Sequence, residues 1–227
     1  MDLSPVRLSL ETSVAATAVV AVLGTIAAGW RIRRRGVALE LLDGFFLLPL
    51  VLPPTVVGFL LLLLLGRASP VGGLLYELGA RLVFSWPATV IAASVTTFPL
   101  MYMTSRAALE QVDAPLVEAA RTLGASEGRI FREILLPLAW PGLAAGMVLT
   151  FARALGDFGA TLILAGDIPG RTQTLPLAIF FAVEAGETAE AVRWSLVTVG
   201  ISLAALGALN LWTRHRRGLA MRVVQQD

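Results

Sequence analysis

Five long apolar runs, separated by short polar stretches, set the pattern of this chain. They lie near 9–30, 43–66, 83–105, 138–165 and 191–212, and each reaches the ~20 residues that a bilayer-spanning helix needs. The pattern therefore predicts five membrane helices. A sixth apolar stretch, "LPLAIFFAVEAG" at 175–186, is short for a span. Its length favours a re-entrant or partly inserted helix lining a cavity, with a full sixth span as the alternative. Between the third and fourth runs stands "VEAARTLGASEGRIFREILLPLAW", residues 117–140, a charged, glycine-broken segment with helical spacing. Several runs carry breakers. Pro49, Pro53 and Pro54 in the second run predict a kinked or locally opened helix. Pro87 and Pro99 mark the third, and Gly142, Gly146, Gly156 and Gly159 the fourth. "GLAAG" at 142–146 reads by itself as a small-residue packing face; taken together, the breaks suggest helices that bend around a pathway.

Composition agrees with the runs. Of 227 residues, 56% are hydrophobic and 15% charged, against roughly 45–50% and about 25% for a soluble domain. The fold class expected is an all-α integral membrane protein, a single transmembrane domain over 1–227. Positive charge is retained on the cytoplasmic side. Arg31, Arg33, Arg34 and Arg35 follow the first run, Arg106, Arg121, Arg129 and Arg132 lie between the third and fourth, and Arg214, Arg216, Arg217 and Arg222 follow the fifth. These clusters share one side when the number of spans is odd, which places the N-terminus outside and the C-terminus and the 106–137 loop in the cytoplasm. A cleaved signal peptide carries its charge before the apolar run, whereas here the arginines come after it, as in a stop-transfer flank.

The chain has no cysteine and one histidine, His215 in the basic tail, which removes disulfides and disfavours a metal-centred enzyme. It also has no lysine, so it holds no G-x-x-x-x-G-K-[ST] phosphate loop. No catalytic residue, cofactor, metal or nucleic-acid partner is expected.

Ionisable residues within spans are costly and become functional candidates. Arg153 and Asp157 stand four apart in the fourth run, which on a continuous helix puts them on one face. They read either as a mutually neutralising pair or as pathway groups, with Asp157 at a point between Gly156 and Gly159 where the helix loosens. Arg171, with Thr172 and Thr174 in "IPGRTQT", is a candidate anion-receiving or docking group outside the membrane, or a capped surface turn. In the polar segment, Asp113 and Pro115 suit a helix start, Gly124 a stop and Ser126 a second cap. This predicts two short helices at an angle, with Leu116, Ala119, Ala120 and Leu123 on one face.

Glu118-Ala119-Ala120, then Gly124 after three positions, then Ile134, Leu136 and Pro137 after nine more, fit EAA-x3-G-x9-I-x-LP. This resembles the signature of the membrane-spanning permease subunits of bacterial and archaeal ABC importers. "LPLVLPPTVVGFLLLLLLG" and "ALGDFGATLILAGDIPGRTQTLPLAIF" are similar to the molybdate permease subfamily and its tungstate and sulfate relatives. The resemblance implies an ABC importer type I permease fold of five to six spans in a plasma membrane. It also implies a homodimer forming an oxyanion pathway, with two ATP-binding subunits and an extracytoplasmic oxyanion-binding protein as partners. Glu118, Ala119, Ala120, Gly124, Ile134, Leu136 and Pro137 become the ATPase-coupling residues, and Arg153, Asp157 and Arg171 the pathway candidates. A gradient-driven secondary transporter is the alternative of another class, since it shares broken helices and intramembrane charge; a membrane-embedded enzyme would need clustered acid, base or metal ligands.

Overall fold

The computed structural model describes residues 2–32, 34 and 36–224, with side chains described up to 208. Arg33 and Arg35, and the side chains of Arg214, His215, Arg216, Arg217 and Arg222, lie outside the described residues. The helices in order are α1 (Ser4–Arg31), α2 (Val37–Val51), α3 (Pro54–Leu65), α4 (Pro70–Glu77), α5 (Trp86–Glu110), α6 (Ala114–Thr122) and α7 (Glu127–Ile130). A π-helical turn (Phe131–Leu135) then leads into α8 (Leu136–Leu155), followed by α9 (Gly159–Ala165), α10 (Leu175–Glu184) and α11 (Thr188–Val224).

Each expected run contains helix. Among the described residues three stretches are long and apolar enough to cross a membrane, Ser4–Arg31, Glu127–Leu155 and Thr188–Ala208, and the bent pair α2–α3 makes a fourth. α5, at 25 residues, is long enough at about 37 Å but more polar, because it is the central helix against which α1, α2, α8 and α9 pack. α10 has ten residues, roughly 15 Å of helix, half of the ~30 Å hydrocarbon layer. The helix formed within residues 175–186 is therefore too short to make a full sixth span by itself.

Packing follows membrane logic, with small residues inside and large ones outside. α1 buries Ala16, Val20, Gly24 and Ala28 while Val19, Val22, Leu23 and Ile26 face outward. Hydroxyls join the helices: Thr12 and Thr89 meet at 2.9 Å, Thr25 and Ser105 at 3.2 Å, and Ser9 Oγ accepts from the Leu175 N–H at 2.7 Å at the start of α10. The first two contacts run α1 and α5 in the same direction. A Cβ on Gly142 would stand 2.6 Å from Ala108 Cβ, and one on Gly146 2.4 Å from Thr104 Oγ1. "GLAAG" is thus the face on which α8 approaches α5, antiparallel to it.

Two spans are broken. α2 and α3 meet at a bend of 113°. Leu52 is extended (ψ 143°) before Pro53, as proline imposes on its predecessor, so the expected kink is a full break. The fourth span starts about ten residues earlier than its apolar run, at Glu127, since α7, the π turn and α8 are continuous. It breaks after Leu155 and resumes as α9. The breaks adjoin: a Cβ on Gly159 would lie 3.1 Å from Thr55 N, and one on Gly58 2.8 Å from both the Ala160 Cα and its carbonyl oxygen.

Candidate coupling surface and pathway elements

α6 begins at Asp113 with Pro115 in its first turn, although Asp113 makes no side-chain cap. It ends at Gly124, whose φ of +83° is a left-handed conformation that costs other L-residues roughly 1–2 kcal/mol. Ser126 then caps α7 by accepting from the Arg129 N–H at 3.4 Å. Across the glycine turn, Arg121 Nε donates to Glu127 at 2.7 Å. That carboxylate raises the already high Arg121 pKa, first through the hydrogen bond.

The second helix of the expected pair is not separate: it is the start of the long α7–α8 rod. Pro137 explains the π turn within it. Proline has no N–H and its ring collides with the carbonyl four residues back, and the chain answers by widening, so that the Leu136 N–H bonds to the Phe131 carbonyl in the i to i−5 pattern.

The motif divides between two tasks. Glu118, Ala119, Gly124 and Pro137 are exposed, and Leu116 and Leu123 stand 50% and 88% exposed. Ala120, Ile134 and Leu136 instead pack on the core cluster around Met101, Leu109, Ile130 and Leu135. Ala120 therefore turns inward with Val117, and the outward apolar face is Leu116, Ala119 and Leu123. A hollow of about 290 Å³ lies beside this face, lined by residues including Leu123, Gly124, Arg129 and Ile134.

Behind α6 lies a second feature. Asp43 of α2 accepts from Arg31 Nε of α1 at 2.9 Å, from Arg106 Nη1 of α5 at 3.0 Å, and from the Tyr102 hydroxyl. Arg106 also donates to Glu110 at 2.8 Å. Phe46 and Phe98 pack on the Tyr102 ring at 5.2 and 6.1 Å. This hub borders a cleft of about 670 Å³ whose walls include Arg31, Glu40, Arg106, Val117 and Glu118. Reading by runs missed it, because Asp43 opens an apolar run and its partners are 12 and 63 residues away. The available signal was the lone carboxylate heading a membrane segment.

The three pathway candidates are not brought together. Arg153 is exposed in the last turn of α8. Asp157 lies in the break, beyond the helix, so the two do not share a continuous helix face. Its carboxylate is 3% exposed, accepting from Thr96 Oγ1 at 3.1 Å and from Thr161 Oγ1 and N at 2.6 and 3.2 Å. It is thus turned to α5 and to the first turn of α9 rather than to open water. Arg171 is exposed at the tip of a turn whose Ile168 carbonyl accepts the N–H groups of Arg171, Thr172 and Gln173. In the same loop, burial raises the Asp167 pKa above the ordinary carboxylate value, opposed by the hydrogen bond from Gln173.

A multi-span helical bundle with a short exposed helix, α6, ahead of the long α7–α8 rod and two adjoining helix breaks has the fold of an importer-type permease. The fold is found in the inward-facing MetNI methionine ABC transporter, at TM-score 0.70 and 17% identity over 93% of this chain and 94% of that one. An amino acid ABC transporter matches at TM-score 0.65 and 17% identity, over 94% and 92%. Residues 21–214 match the binding-protein-dependent transport system inner membrane component family, and the chain belongs to that family as a multi-pass membrane protein. It is 44% identical over 200 residues to the putative molybdenum transport system permease protein YvgM of Bacillus subtilis, covering 88% of each. It is 40% identical over 218 residues to the molybdenum transport system permease protein ModB of Haemophilus influenzae, covering 95% of each. The sulfate transport system permease protein CysW of Synechococcus elongatus is 34% identical over 218 residues, 96% of this chain and 76% of that protein.

Proposed function

We propose that the chain is the permease subunit of an ATP-driven importer of molybdate, acting as two copies with two separate ATP-hydrolysing subunits and an extracytoplasmic binding protein. The observation that carries the reading is the position of the α2–α3 break. Asp157, beside that break through Gly159 and Thr55, bonds Thr96, ten residues into α5 from its outer end at Trp86. That is about 15 Å, the middle of a ~30 Å apolar layer. Pro53, Pro54 and Thr55 are exposed there. Irregular backbone at membrane depth is tolerated only under protein or against water, so a second copy and the water-filled path between the two copies would cover it. On this reading Asp157 braces the break, and Arg153 and Arg171 stand nearer the pathway and its outer mouth.

The coupling residues take the roles their exposure suits. Ile134, Leu136 and Ala120 anchor the loop to the bundle, Gly124 makes the turn, Pro137 sets the π register, and Glu118 and Ala119 meet the ATPase groove. ATP-driven closure of the ATPases would draw the paired α6 helices together and open the path outward; hydrolysis and release would return it inward. The molybdate relatives favour that cargo, and the CysW relative keeps sulfate, with tungstate, as the second reading.

The test is reconstitution with the cognate ATPase and binding protein in proteoliposomes. Molybdate uptake should require ATP and the binding protein, and should be competed by tungstate more strongly than by sulfate. Uptake that follows an ion gradient without ATP would instead establish a secondary transporter.

A further inference from the structure

In the topology read from the arginine clusters, the loop joining α3 to α5 lies on the extracytoplasmic side, and it gathers two arginines on one aromatic ring. The guanidinium carbons of Arg67 and Arg81 stand 4.4 and 5.4 Å from the centroid of one ring, Tyr76 on α4. Both arginines are exposed. Among the described residues neither meets a carboxylate, and nor does Arg171 in its external turn, whereas Arg7 and Arg193 on the same side face Glu11 at 3.6 Å and Glu190 at 4.0 Å. The loop's one acid, Glu77, makes no ion pair with them among the described residues. Unneutralised arginine outside runs against the retention of positive charge in the cytoplasm. Its placement here calls for an anionic counterpart.

The loop is built to hold these groups in place. Ser69 caps α4 by accepting from the Gly72 N–H at 2.8 Å. Phe84 adopts φ +55°, a conformation rare for a non-glycine residue, with its N–H on the Leu164 carbonyl at 3.2 Å and its ring against Gly166. Leu74, Leu78 and Phe84 are 60%, 74% and 55% exposed beside the arginines. Arginine and tyrosine beside exposed apolar groups is the composition enriched at protein interfaces.

We infer that this loop receives the extracytoplasmic binding protein, with Arg67 and Arg81, fixed on Tyr76, engaging carboxylates on that protein's rim while Leu74, Leu78 and Phe84 supply apolar contact. The inference rests on the importer reading, and the family's own description makes transport dependent on a binding protein. A free oxyanion is a poorer occupant, because exposed cations in water are screened beyond ~8 Å at physiological salt and both arginines are exposed. Charged rims of this kind chiefly raise association rates and make them salt-sensitive.

The experiment uses the assembled transporter in nanodiscs and its molybdate-loaded binding protein. The association rate of wild type, Arg67→Gln/Arg81→Gln and Tyr76→Leu is measured across salt concentrations, in discs with and without anionic lipid. The double variant should associate at least tenfold more slowly at low salt, with a flattened salt dependence, in both lipid compositions. Tyr76→Leu, which keeps both charges and frees them, should fall between. Wild-type rates and salt slopes in both variants overturn the inference. So does an effect confined to anionic discs, which would make the loop a lipid-headgroup contact. Failure of the importer reading is separate: wild type itself would then neither bind the binding protein nor take up molybdate with ATP.

Discussion

Replacing Asp43 with alanine strands charge in a place that water reaches only in part. The Arg31 side chain is 9% exposed and that of Asp43 15%; without the carboxylate, Arg31 keeps, among the described residues, the Arg34 carbonyl. Removing one partner of a buried pair costs about 3–5 kcal/mol. The Tyr102 hydroxyl loses its acceptor, worth about 1 kcal/mol, while Arg106, 35% exposed and still on Glu110 at 2.8 Å, adds less than about 1 kcal/mol. Partial hydration of the hub from the cleft beside it reduces the sum, leaving about 3–5 kcal/mol. At roughly 2–4 °C per kcal/mol for a chain of this size, Asp43→Ala should lower the thermal midpoint in detergent, followed by circular dichroism, by about 6–20 °C. Because the cost is stranded charge rather than lost attraction, Arg31→Met/Asp43→Leu should recover much of it. A single-variant midpoint within about 2 °C of wild type, or a double variant worse than the two singles combined, would refute the reasoning.

The cysteine-free chain permits labelling without background: Thr55→Cys at the exposed break should react with a membrane-impermeant thiol reagent in the assembled transporter, at a rate that changes with ATP; no reaction in any state removes the break from the pathway. Gly58→Ala puts a Cβ 2.8 Å from Ala160 backbone atoms that cannot rotate away, so overpacking of about 1–3 kcal/mol should lower the thermal midpoint, and an unchanged midpoint would mean that α3 and α9 are free to separate. Gly124→Ala meets no atom within 4 Å, so its cost is conformational, about 1–2 kcal/mol; it should weaken co-purification with the ATPase while the bundle keeps its midpoint, and undiminished co-purification would place the docking energy elsewhere. The folded-state pKa of Asp167 is raised by burial, so its favourable contribution is full below the unfolded carboxylate value and is lost as pH rises through the folded one. Asp167→Asn should therefore flatten the rise in stability seen on acidifying from neutral pH through the carboxylate range, read as thermal midpoint against pH; a parallel curve would contradict the burial of that carboxylate.

What could be read from the chain depended on how local its cause was. The helical runs, the Gly124 turn and the Ser126 cap follow from neighbours in sequence, and each has its counterpart in the structure. Pro53 and Pro54 signalled a disturbed helix, but not that it would break through 113°, because the angle is set by α9 closing on Gly58 and Thr55 from a hundred residues away. The short 155–159 gap was visible as paired glycines. Its carboxylate's partners were not, since Thr96 lies 61 residues upstream, and the assumed Arg153–Asp157 register required a helix that Gly156 ends.

The same distinction bears on how motion would pass through the molecule. The Asp43 hub ties α1, α2 and α5 together at the end of the bundle that carries α6, and α5 leads through three residues into α6, which Arg121–Glu127 staples to the α7–α8 rod. Α force on the exposed α6 face would therefore load the hub and the rod together instead of flexing a free loop. The rod ends at the break beside α3, where hydrogen bonds from Thr96 and Thr161 to Asp157 replace the missing helical turn. Small-residue contacts such as Gly142 on Ala108 leave little slack between α8 and α5, and close-packed interfaces shift between discrete arrangements rather than deform smoothly. The compliant points are then the two breaks, whose edge at Pro53, Pro54 and Thr55 is exposed. Cysteine labelling at Thr55 and co-purification of Gly124→Ala probe opposite ends of that linkage, so a Gly124→Ala complex that still hydrolyses ATP should lose the ATP dependence of labelling at Thr55. If that dependence survives intact, the two ends move independently and the rod transmits nothing.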